Sequence, residues 1–236
     1  MSRSIPMVLL ALVMLAGPAQ AADSKASLED QLKGVAERLP LQGRKGPSLF
    51  QPGFGVGEYS GWSKSVGRKT SVPGVFSSDK ATASLQIARP GMEPVTGDCR
   101  GGQSRLGLGW ITFKREGLAY VCGFGGSAPA GAELALAQSK GSLLGQMMQP
   151  QRAAELSWGG ITLRAETRYI SGLPMSSGGA SSYVIFRPDG TPIGGLQTNG
   201  LRPTVWLPKA QGAERDAAAV LALALFTFLD PGRPGA

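Results

Sequence analysis

Histidine is absent from this chain of 236 residues, and only two cysteines occur in it. The first absence removes the catalytic devices that depend on imidazole: Ser-His-Asp and Cys-His arrangements, a histidine proton shuttle and histidine-rich metal sites. Two cysteines alone cannot build a structural zinc site. Charged side chains amount to 17% and aromatic ones to 7%. Disorder is not implied by 35 glycines and 17 prolines, because 42% hydrophobic residues and four tryptophans supply a packed body. Long apolar runs are scarce. One extends from Ile5 to Ala16 and the other from Ala217 to Leu229, and the remaining apolar stretches are short and punctuated by glycine or proline.

The first apolar run follows Arg3 and precedes Gly17-Pro18-Ala19-Gln20-Ala21, which reads as a secretory signal over residues 1–21 with cleavage before Ala22. The run is too short for a lasting membrane anchor, and the expected mature chain has no other segment long enough to cross a bilayer. A secreted or periplasmic protein is expected. In an oxidising compartment Cys99 and Cys122 should bond to each other, stabilising the fold by roughly 3.5 kcal/mol in the chain-entropy account. Without Arg3 the chain holds 23 basic and 16 acidic residues, a formal charge of +7. The excess is uneven: from Arg38 to Arg115 there are twelve Lys or Arg against Glu58, Asp79, Glu93 and Asp98. A basic face attracts anionic lipid or another envelope polyanion, and export argues against a nucleic-acid partner.

Residues 22–52 are expected to form an amphipathic helix and a linker. Leu28, Leu32, Val35, Ala36 and Leu39 fall at helical spacing, Ser27 can cap the first free amides, and residues 40–52 carry the glycines and prolines of a connection. Residues 53–236 are expected to be one strand-rich domain. Strands are predicted at 54–60, 72–76, 81–89, 106–114, 118–124, 132–138, 142–148, 155–158, 161–169, 181–187, 191–197 and 203–207. Two hairpins stand out, one turning through Arg115-Glu116-Gly117 and one through Pro188-Asp189-Gly190.

Glu214-Arg215-Asp216 opens the second apolar run, with acids at the positive end of the helix dipole, and Asp230-Pro231-Gly232 stops it. A helix over 214–229 has no polar face, and it is too short to span a bilayer. It therefore belongs in a core. A sheet wrapped around it would cover every side and leave no free edge, and a helix between two sheets is the other solution. The expected fold is mainly β: a closed or nearly closed antiparallel barrel of about twelve strands enclosing a hydrophobic C-terminal helix.

Three stretches carry a family resemblance: Ser182 to Gly194 (SYVIFRPDGTPIG), Pro203 to Pro208 (PTVWLP), and Glu214-Arg215-Asp216 leading into the apolar run. Their order resembles the end of the tubby C-terminal superfamily, which includes tubby-like proteins, phospholipid scramblases and LURP-one-related proteins. The resemblance implies a twelve-stranded barrel around a helix, no catalysis, and contact with anionic phospholipid headgroups as in the tubby branch. An exported chain with a disulfide departs from those mostly intracellular proteins.

Other chemistry is thinly represented. The paired glycines lack the lysine spacing of a phosphate-cradling loop. Ser77-Ser78-Asp79-Lys80 contains Ser-x-x-Lys, in which a lysine can activate a serine, yet neither Ser-Asp-Asn nor Lys-Thr-Gly follows. Glu155, Glu166 and Asp189 could serve a two-carboxylate glycosidase but read as exposed strand or turn residues. Trp62, Lys64, Arg68 and Lys69 form the densest basic cluster with an aromatic, suited to a headgroup or a glycan. No cofactor or metal is expected. The sequence favours a non-catalytic binding or envelope-associated protein over a cell-wall hydrolase or transpeptidase, or a structural partner in a periplasmic assembly.

Overall fold

The computed structural model describes residues 27–43, 53–68, 80–102, 119–138, 152–171, 182–198 and 202–227. They form α1 (Leu28–Val35), β1 (Ala36–Gly43), β2 (Gly53–Val56), β3 (Tyr59–Arg68), β4 (Lys80–Arg89), β5 (Met92–Gly102) and β6 (Ala119–Gly126). The order continues through β7 (Glu133–Gln138), β8 (Arg152–Trp158), β9 (Ile161–Thr167), β10 (Tyr183–Phe186), β11 (Pro192–Gln197) and β12 (Thr204–Pro208), ending in α2 (Ala213–Thr227). The twelve strands close into one barrel in which each pairs antiparallel with its neighbours in sequence and β1 also pairs with β12. An antiparallel meander can close on itself only with an even number of strands, and closure leaves no unpaired edge.

Short turns gather at one end, where Gly57-Glu58, Pro90-Gly91 and Gly159-Gly160 each join two strands with a glycine at positive φ. Alternation divides the strand residues. Leu85, Ile87, Val95, Cys99, Cys122, Leu134, Leu156, Leu163, Ile185 and Val205 belong to one buried cluster with Ala217 to Phe226 of α2. From this cluster α2 touches β3, β4, β8, β9, β11 and β12. A second cluster holds Leu32 of α1 with Ala36, Ile170, Val184, Phe186 and Trp206. Alternation puts Val184, Phe186 and Trp206 on the opposite face from Tyr183, Ile185 and Leu207, the outer wall.

Several expectations are corrected. The first helix stops at Val35 rather than running to Leu39, and Ala36 is already extended at φ −124° and ψ 157°. Proline has no amide hydrogen for a helix and biases the residue before it toward extended backbone, so Pro40 favours the strand that follows. Residues 36–43, read as helix and linker, are instead the strand that closes the barrel between β12 and β2. The strand expected at 54–60 breaks at Gly57-Glu58 into β2 and β3. β5 was not anticipated. The described strand of the expected 115–117 hairpin, β6, pairs with β5 and β7, and residues 103–118 lie outside the described residues. Residues 1–21, 44–52, 72–76, 106–114, 142–148 and 228–229 lie outside the described residues. The second hairpin stands: Arg187 N–H donates to the Thr191 carbonyl at 3.0 Å, Asp189 Oδ1 accepts from Thr191 N–H at 2.8 Å, and Gly190 takes φ 86°.

Candidate functional site

β3 alternates as a wall strand should, with Tyr59 and Ser63 buried, Ser60 and Lys64 exposed, and Trp62 half-buried on the outside. Gln86 lies directly across from Trp62 in β4, and the indole Nε1 donates to its Oε1, so the ring is held over the neighbouring strand. On the inner face, Gly61 lets the β3 and β4 backbones approach closely, since a Cβ there would lie 1.9 Å from the Gln86 carbonyl oxygen. The row continues through Thr96 of β5 to Gly125 of β6. One row along, Lys64 is followed by Ser84, Asp98 and Gly123, and Ser84 Oγ donates to Asp98 Oδ1 at 2.9 Å. Beyond these lie Thr82 and Arg100. Lys64, Thr82, Thr96, Asp98 and Arg100 are all exposed, giving a polar wall with one anchored indole.

Elsewhere the described exterior is mixed: Arg38, Pro40 and Gln42 on the outer face of β1 are exposed like this wall, and other stretches are covered. Outward residues Ala135, Ala137, Glu155, Val184, Phe186 and Trp206 are all buried. The large apolar residues that stand exposed among the described ones are Val35 and Tyr169, and neither belongs to β3, β4 or β5. Of the four residues singled out from the sequence, Trp62 and Lys64 therefore share one uncovered surface. Arg68 sits at the end of β3 opposite Lys80, with its side chain outside the described set, and Lys69 lies beyond the described residues.

A second charged group collects where α2 begins. Arg215 is almost fully buried and fixes Glu58 of the β2–β3 turn through two hydrogen bonds of 2.7 and 2.9 Å. It also meets Glu37 of β1 at 2.5 Å and donates to the Pro208 carbonyl of β12. Asp216 accepts from Arg89 Nε and Nη2 at 2.9 and 3.1 Å and from the Tyr59 hydroxyl at 2.7 Å. Glu214 accepts from Arg187 at 2.6 and 2.7 Å. Three consecutive residues thus tie the helix start to β1, β3, β4, β12 and two turns. Donation from Arg215 holds the Glu58 carboxyl below its ordinary range, while burial and then the Asp216 carboxylate push the Tyr59 phenol up. The sequence signal was Glu214-Arg215-Asp216 itself, read only through the helix dipole. Its partners are scattered from residue 37 to residue 208, and no local pattern pairs them.

Cys99 and Cys122 face each other across β5 and β6 with an S–S distance of 2.06 Å. Glu155 is a correction. Expected to be exposed, it is 1% accessible and paired with Arg164 at 3.2 Å, since its stretch of wall is covered. Glu166 pairs with Arg168 at 2.8 Å, and Asp189 serves the turn described above. Ser77 lies outside the described residues. Among the described residues no group of three or more acids and cysteines is placed to hold a metal ion, and no helix is long and apolar enough to cross a membrane. Compared with protein-family models, with curated proteins and with solved structures, the chain finds no match.

Proposed function

We propose that this chain is an exported, non-catalytic binding protein, secreted or periplasmic, whose outer β3–β5 wall meets an anionic component of the cell envelope. The observation that carries this reading is the exposed polar wall presenting Trp62, Lys64 and Arg100, in contrast to the buried outward residues Ala135, Ala137, Val184 and Phe186 of β7 and β10. The formal charge of +7 without Arg3 and the run of basic residues from Arg38 to Arg115 favour an anionic partner. A signal-like start and a bonded cysteine pair support export.

In this reading the barrel encloses α2, a helix with apolar residues on every side, and α1 is an amphipathic strap that lays Leu32 on the outer wall. The burial of Ala217 to Phe226 and the separate cluster around Leu32 support both statements. The arrangement of hairpin, strand and terminal helix within a twelve-stranded barrel favours kinship with the tubby C-terminal superfamily.

The test compares partners that differ in charge. At physiological salt the protein should prefer phosphatidylglycerol vesicles over phosphatidylcholine vesicles, or an acidic polysaccharide over dextran, and Lys64→Glu should reduce the preference several-fold. Equal binding to charged and neutral partners, or binding to none, contradicts the proposal.

A further inference from the structure

We infer that the β3–β5 wall is a saccharide platform, on which Trp62 stacks against a sugar ring while Lys64 and Arg100 meet its carboxylate or phosphate. This rests on the proposal that the wall binds an anionic envelope component and specifies which one.

The first argument is the state of the indole. Trp62 is the large aromatic in a row that begins at Gly53, passes through Gln86 and Thr96, and ends at Gly125. Glycine at both ends leaves the ring without tall neighbours in its row. The bond from Nε1 to Gln86 fixes its orientation, so the ring loses little freedom when a ligand arrives. An aromatic face carries negative quadrupole density, and the C–H-lined face of a pyranose presents weakly positive hydrogens to it.

The second argument is the set of groups around the ring. Sugars are recognised through hydroxyls that both donate and accept, which calls for amides, hydroxyls and carboxylates on the protein. Gln86, Thr96, Ser84, Asp98 and Thr82 supply these on the adjacent strands. At the usual strand spacing of about 4.8 Å, β3 to β6 make a surface about 14 Å wide, enough for more than one ring. Lys64 and Arg100 outnumber Asp98, so an acidic saccharide fits better than a neutral one.

The third argument separates a saccharide from a bilayer. A surface that inserts into lipid needs protruding apolar side chains, with Trp or Tyr at the headgroup level. Ser60, Lys64, Thr82, Thr96, Asp98 and Arg100 protrude here, and the two large apolar residues exposed among the described ones, Val35 and Tyr169, lie elsewhere. The wall is chemically a hydrogen-bonding surface with one ring.

The experiment is titration calorimetry of the full chain with polygalacturonate oligomers and solubilised peptidoglycan fragments, with dextran and phosphatidylglycerol vesicles as comparisons. We expect at least one acidic saccharide to bind more than tenfold tighter than dextran. Trp62→Ala should weaken that binding at least tenfold, Trp62→Phe should keep most of it, and Lys64→Ala should reduce its salt dependence. Unchanged melting temperatures would show that the variants are folded, and the Phe variant keeps the test open if the Ala variant is not. Binding to vesicles without binding to any acidic saccharide overturns the inference while leaving the proposed function standing. Saccharide binding unaffected by both Trp62 substitutions also overturns it, and failure with every anionic partner removes both.

Discussion

Taking a guanidinium out of water costs several kcal/mol unless hydrogen bonds and an opposing charge replace the lost solvation. Arg215 meets that condition through Glu58, Glu37 and the Pro208 carbonyl. Its partners stay partly open to solvent, at 28% for Glu58 and 42% for Glu37, so the attraction is screened on their side. Replacing Arg215 with Met should therefore cost on the order of 3 kcal/mol, at the low end for breaking a buried pair. Urea denaturation checks this, and a loss below about 0.5 kcal/mol would mean that the cluster is ornamental to stability. Acid should act on the same cluster. Because the folded-state pKa of Glu58 lies below the ordinary value of 4.5, the folded chain resists a proton that the unfolded chain accepts. Its contribution is fully present above about pH 4.5 and is lost as pH falls through the depressed value. Glu58→Gln should flatten the acid limb of stability against pH, and an unchanged limb would assign acid sensitivity elsewhere. Part of that limb will persist, because Asp189 is likewise held low by the Thr191 amide. None of this was readable in the sequence, which shows Arg215 between two acids and gives no hint that its partners are Glu58 and Glu37.

At the scale of elements, glycine decides which turns can form. Gly126 ends β6 at φ 69°, and a Cβ there would lie 2.2 Å from the Pro94 carbonyl oxygen. Gly190 has φ 86°, with open space where its Cβ would be. Gly190→Ala should cost about 1 kcal/mol, the price of left-handed backbone alone, whereas Gly126→Ala adds a backbone clash and should cost about 3 kcal/mol or more. Equal losses in thermal melts would contradict the clash. The same residues explain what was legible in the chain. The hairpin of β10 and β11 announced itself because Pro188-Asp189-Gly190 separates two apolar runs. β5 stayed hidden because Pro94, Gly97, Gly101 and Gly102 break any apolar alternation. Gly97 nevertheless points inward, where Leu85 and Phe124 occupy the space a side chain would take, both about 3.0 Å from its ideal Cβ. β1 was read as helix and linker because Leu32, Val35, Ala36 and Leu39 satisfy helical spacing, while Leu39 and Leu41 also fit a strand. Pairing with β12 and β2 settles that ambiguity, and such long-range contacts leave no local mark.

For the whole molecule, the mainly β, closed antiparallel barrel of twelve strands with a C-terminal helix was legible in composition and one apolar run, more fully than the site. A helix without a polar face demands cover on every side, and a strand-rich chain demands that its edges be closed, so a barrel around a helix answers both. Two of the four residues named from the sequence, Trp62 and Lys64, share the polar wall, but Gln86, Thr96, Asp98 and Arg100 join them only through register. The proposed function asks the barrel to hold this wall in place, and the proposed enclosure of α2 would make the barrel depend on that helix. Native-state hydrogen exchange tests that dependence most directly. If α2 is the enclosed core of the barrel, the amides of Ala217 to Thr227 should exchange only on global unfolding, with the same opening free energy as the most protected amides of β9 to β12. Exchange of those helix amides through a low-energy local opening, while the strands stay protected, would contradict the account.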